Sequence, residues 1–79
     1  MMKSMTCKQL GGACDEIFHA ETFGEMAALS KKHGAEMFKI QDAAHMEAMR
    51  KMQELMKSPE SMQKWFMDKK AEFEALPKD

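Results

Sequence analysis

The chain has 79 residues, with 12 Lys plus Arg against 13 Asp plus Glu and a net charge of −1. The length implies one small domain, of a size whose modest core is often helped by a staple. The balanced charge argues against nucleic-acid binding through neutralised phosphates, and it leaves no polybasic patch for a membrane surface.

Lys3, Lys8, Asp15 and Glu16 break up the first twenty residues, so no secretory apolar core is visible, and no stretch is long enough to span a bilayer. The expected location is cytoplasmic. In that compartment two cysteines serve as metal ligands, redox thiols or buried residues more often than as a structural disulfide.

In chain order, residues 4–19 read as a short β-hairpin. Ser4 to Leu10 and Ala13 to His19 form its two runs, and Gly11-Gly12 suits a two-residue primed turn. Thr22-Phe23-Gly24-Glu25 is a capping box, which opens a helix over 22–40. Met26, Leu29, His33, Met37 and Ile40 recur on it at helical spacing. Gly34 lies inside this stripe, and the stripe continues past it.

Asp42 is a natural N-cap for a second helix over 42–57, with a stripe of His45, Met49, Met52 and Met56. Ser58-Pro59 marks the clearest boundary: serine caps, and proline takes the first helical position, where its missing N–H does no harm. The third helix, 59–76, places Met62, Trp65, Phe66, Lys69, Phe73 and Leu76 on one face and leaves Met67 off it. The expected fold class is therefore α+β and mostly helical, a short hairpin packed against about three helices.

The chemistry concentrates near the N-terminus. If Gly11-Gly12 is the turn, Gln9 pairs with Cys14 and Cys7 with Glu16, and both thiols share a face from diagonal positions. Diagonal neighbours stand roughly 7–8 Å apart at Cα, whereas a disulfide usually needs less than about 7 Å. A metal bridging two thiolates at about 2.3 Å each tolerates the wider gap. His33 lies on the inward stripe of the first helix and completes a Cys7, Cys14, His33 set. Glu16, His19 and His45 are the candidates for a fourth ligand. Strand parity sets His19 on the face opposite Cys14.

Plainer readings compete. Two cysteines six residues apart lack the Cys-x-x-Cys spacing of common zinc sites, and free cysteine often simply packs in a core. The 11 methionines can fill an irregular core. Their sulfurs, with His45, would also suit monovalent copper, and an uncovered Met or aromatic helix face would suit a protein partner or a second copy. No oxyanion hole or substrate pocket is recognisable, so an enzyme is not expected.

The segment Met5-Thr6-Cys7-Lys8-Gln9-Leu10-Gly11-Gly12-Ala13-Cys14-Asp15, with Phe18-His19-Ala20-Glu21-Thr22 and the helix to His33, resembles a bacterial and archaeal family of predicted small metal-binding proteins. Members share a Cys…Gly…Cys opening, a Glu-Thr helix start and a helix bearing histidine. The resemblance covers about the first 40 residues and implies metal ligation by Cys7, Cys14 and His33. Such proteins often carry a second histidine near the place where this chain has Met37 and Phe38, so the resemblance implies that His19 or Glu16 has to supply that ligand here.

The expected function is binding of one metal ion in a structural or metal-holding role. Zinc is the first candidate, ahead of iron or copper. A metal-free helical interaction module or homodimer is the alternative, and a thiol redox sensor using Cys7 and Cys14 is the third.

Overall fold

The computed structural model describes residues 2–78. Two antiparallel strands, β1 (Lys3–Thr6) and β2 (Ile17–Ala20), are followed by α1 (Phe23–Lys39), α2 (Ala43–Leu55) and α3 (Pro59–Ala75). The fold is the expected α+β arrangement of a hairpin and three helices. The strands pair in the anticipated register, with Lys3 opposite Ala20, Met5 opposite Phe18 and Thr6 opposite Ile17. Alternation sends Met5, Phe18 and Ala20 into the core and leaves Ile17 and His19 outside.

The hairpin differs from expectation in its connection. Regular pairing stops at Thr6 and Ile17, and residues 7–16 form a folded loop around a 3₁₀ turn at Lys8–Leu10 instead of a two-residue turn. The reason lies at Cys7, whose carbonyl accepts from Leu10 and Gly12 N–H at 3.0 and 2.8 Å and so curls the chain where a strand would continue.

Each helix starts at an expected cap. The Thr22 hydroxyl accepts from Glu25 N–H, an Asp42 carboxylate oxygen from His45 N–H and the Ser58 hydroxyl from Ser61 N–H. Gly34 sits within α1 with no break. The first two helices are separate: Asp42 N–H reaches Met37 carbonyl and Gln41 N–H reaches Phe38 carbonyl, both at 3.1 Å, with Gln41 at φ +54°. This is the six-to-one and five-to-two pairing of a Schellman terminus, with glutamine at the position glycine usually holds.

The core comprises Met5, Cys7, Leu10, Phe18, Ala20, Phe23, Met26 and Phe73, with Cys14 and Leu76 packed against it. Helix α1 lies on β2 and is flanked by α2 and α3. The expected helical stripes are wider than this core. Leu29, Ile40, Leu55, Met62 and Phe66 are exposed, as is the off-stripe Met67, because one small hairpin cannot cover the inner faces of three helices. The molecule is a slab of 33 × 29 × 15 Å. No helix among the described residues is long and apolar enough to cross a membrane.

Candidate metal centre

The loop after β1 is fastened by its own backbone. Cys7 N–H donates to Glu16 carbonyl at 2.8 Å and Lys8 N–H to Cys14 carbonyl at 3.0 Å, which holds the two cysteines side by side. Thr6 and Gln9 bond each other twice: Thr6 N–H donates to Gln9 Oε1, and Gln9 N–H donates to Thr6 Oγ1. Gly11 takes φ +92°, in the left-handed region. Gly12 is required for space, since a Cβ there would stand 2.1 Å from Cys7 Sγ.

Helices α1 and α2 bring imidazoles onto this loop. His33 Nε2 stands 3.3 Å from Cys14 Sγ, and His45 Nε2 stands 3.5 Å from Cys7 Sγ. The two rings meet edge to face with centroids 5.2 Å apart, and Phe18 packs against His33 at 5.5 Å. The ligand atoms of Cys7, Cys14, His33 and His45 all lie within 4.8 Å of one another. In a tetrahedral site with metal–sulfur bonds near 2.3 Å and metal–nitrogen bonds near 2.05 Å, a sulfur and a nitrogen stand about 3.6 Å apart. The two sulfur–nitrogen distances match that spacing closely, so the four residues have the chemistry and the geometry to hold a metal ion.

The structure thus brings Cys7, Cys14 and His33 together, and of Glu16, His19 and His45 it adds only His45 to the cluster. Glu16 contributes its backbone, and its exposed side chain stays out of the cluster. His19 is exposed on the other face, where its Nδ1 is hydrogen-bonded to Ser4 Oγ at 2.8 Å. Both cysteines are free thiols, Cys7 buried and Cys14 half-buried.

Asp42 orients the His45 ring. Its carboxylate lies 2.6 Å from His45 Nδ1 while also capping α2. A carboxylate only accepts, so Nδ1 carries a proton; in the neutral ring Nε2 then keeps its lone pair for the cluster, and in the protonated ring Nε2 donates to the Cys7 sulfur. Carboxylate–histidine–metal relays are built this way. Asp42 was legible in the sequence as a cap. Its second role was carried by the Asp42-x-x-His45 spacing, which sets a carboxylate one turn before an inward-facing imidazole.

The electrostatics divide the two thiols. Burial pushes the Cys7 thiol up, but hydrogen bonds from the Cys14 backbone, His45 and the Ala13 backbone outweigh it and hold the group below its ordinary value. Cys14 is raised, first by burial and then by the Cys7 sulfur beside it, despite a backbone hydrogen bond from Glu16. Cys7 is therefore the first of the pair to become a thiolate, and a cation is needed to hold both as thiolates at neutral pH. His45 is raised by its hydrogen bond to Asp42 against the opposing effect of burial, and Asp42 is lowered by the same bond.

Comparison with protein-family models, curated proteins and solved structures finds no match for this chain.

Proposed function

We propose that the chain is a small metal-holding domain that binds one zinc ion through Cys7, Cys14, His33 and His45. The observation that carries this reading is the convergence of four ligand atoms, all within 4.8 Å of one another, with sulfur–nitrogen distances of 3.5 Å for Cys7–His45 and 3.3 Å for Cys14–His33 that need only small shifts to close on a tetrahedral ion. Two thiolates and two neutral imidazoles form a borderline-soft set with a charge of −2, which suits zinc first, with ferrous iron or copper as competitors.

Four protein ligands leave no open position for a water or a substrate. The role is therefore structural or metal-holding rather than catalytic. The resemblance of the first forty residues to predicted small metal-binding proteins supports the same reading through Cys7, Cys14 and His33. His45, with Asp42 behind it, takes the place of the second histidine missing near Met37. Free thiols of this kind fit a reducing, cytoplasmic setting.

The test is elemental analysis with native mass spectrometry on untagged protein purified under reducing conditions. One zinc per 9.1 kDa chain, lost in both Cys14→Ser and His45→Ala, is the expected result. Stable, metal-free protein that ignores added zinc would overturn it. A reversible Cys7–Cys14 disulfide in such metal-free protein would favour the redox sensor.

A further inference from the structure

A cleft of about 880 Å³ lies between α1, α2 and the folded loop, with Cys7, His33 and His45 at its floor. Its walls are apolar and include Leu10, Phe38, Met46, Met49 and Met52. Among the described residues no segment covers it, and Phe38 at its rim is 59 % exposed.

The chain's surface area points to what is missing. A compact monomer of 9.1 kDa exposes about 4,900 Å². This chain exposes 5692 Å², an excess of about 800 Å² over that figure. An interface of standard size takes about 800 Å² from each partner. The radius of gyration agrees in direction, at 12.5 Å against about 11.6 Å for a compact chain of this length.

The cleft also has the composition of an interface centre. Eleven of the twelve basic residues of the chain are lysines, and none lines the cleft, whereas the single arginine, Arg50, does. Protein interfaces are depleted in lysine and enriched in methionine, aromatic residues and arginine. The only charged residues in the lining are Glu47 and Arg50, paired with each other on α2. A rim that carries one acid and one base is self-complementary across a two-fold axis.

We infer that a second copy of this chain closes the cleft, giving a two-fold symmetric homodimer joined through α1, α2 and the loop. Because Cys7, His33 and His45 line the cleft, the partner copy covers the half-buried His33 side of the cluster. The dimer itself does not depend on a metal being bound, so dimers that ignore added zinc would overturn the metal reading alone.

Sedimentation equilibrium and native mass spectrometry on the full chain, with and without added zinc, test this. The expected mass is twice 9.1 kDa for the wild type. Phe38→Glu and Arg50→Glu change exposed side chains, so each keeps the fold by circular dichroism and sediments as a monomer. A wild type that stays monomeric across the accessible concentration range overturns the inference. So do dimers that survive both substitutions, and so does a monomer that carries a small apolar molecule in the cleft.

Discussion

Helices α2 and α3 each flank α1, and each sends one buried side chain into the molecule, but the two side chains differ in kind. Helix α3 is anchored by Phe73, which packs with Phe23 at 5.8 Å while Phe66 meets Phe23 edge to face at 5.1 Å. Lys3 of β1 locks its far end by donating to the carbonyls of Phe73 and Glu74 at 3.1 and 2.9 Å, where a cation is favoured by the helix dipole. Helix α2 is anchored by His45, a side chain whose burial is favourable only when its ring nitrogens are satisfied. One side of this molecule is held by apolar area and the other by a buried polar cluster in which His45 bonds to Asp42 and Cys7, so the two sides respond to different conditions.

The largest test of that contrast is metal removal. Chelation of zinc-loaded protein, or Cys7→Ser, is expected to abolish amide protection across α2 while α3 keeps most of its own. Structural zinc contributes on the order of 10 kcal/mol or more where it couples to folding, and hydrogen exchange followed by mass spectrometry resolves the two helices. Equal loss in both helices would show that the sides are not independent.

Phe73→Ala is the converse experiment. It removes a side chain only 2 % exposed and is expected to cost about 3–5 kcal/mol in chemical denaturation, with the zinc stoichiometry of the folded protein unchanged.

A smaller effect is expected from Asp42→Asn. Asparagine caps a helix about as well as aspartate, so α2 still starts at residue 43, but His45 loses its charged partner. Competition with a chromophoric chelator is expected to show metal affinity weakened by about 10- to 100-fold. An unchanged affinity would reduce Asp42 to a cap.

The smallest effect is on pH dependence, and its sign separates the metal-free and loaded states. In the metal-free chain Asp42 is held below its ordinary 3.8, so its contribution is present above that value and is lost as pH falls through the depressed one. His45 is held above its ordinary 6.5, so its contribution is full below 6.5 and is lost as pH rises through the raised value. The pair therefore helps the chelated chain most between about pH 4 and 6.5. Metal binding needs neutral imidazole and thiolate, so affinity climbs with pH instead. Denaturation midpoints in chelator that show no acidic maximum, or one that persists in Asp42→Asn, would contradict this.

Much of this arrangement was legible in the sequence wherever the determinant is local. Thr22, Asp42 and Ser58-Pro59 act within one turn of the chain, and all three helices start where those residues place them. The strand register was legible because parity ties Cys7 to Glu16 and Met5 to Phe18. His33 emerged from helical periodicity and Cys7 from strand parity, whereas Cys14 was placed through a Gln9–Cys14 pairing that the folded loop replaces with Lys8 N–H to Cys14 carbonyl. The folded loop was not legible. Gly11-Gly12 reads as a hairpin turn, and only the approach of Cys7 sulfur to Gly12 and the Cys7 carbonyl's two bonds reveal a tighter path. Nor could periodicity rank His45 above Glu16 and His19, because the answer depends on how α2 crosses the loop, 38 residues away in sequence from Cys7. The exposure of Leu29 and Ile40 was hidden for a related reason: a stripe shows which face turns inward, not how much of that face the hairpin can reach.

The 2.1 Å between Cys7 Sγ and the place where a Cβ on residue 12 would stand limits which sequences can adopt this fold. The Cys7 carbonyl closes the same space at 3.0 Å, so the neighbour in the way includes backbone and cannot simply swing aside. Gly34, in the middle of α1, is different in kind: the nearest atom to its missing Cβ is a flexible methionine methyl at 4.0 Å. Alanine at 34 gains about 1 kcal/mol of helix propensity. In a library of variants selected for zinc retention, position 34 would drift freely among small residues. Position 12 would return glycine alone, held there by the volume of a sulfur atom and not by the flexibility of a turn.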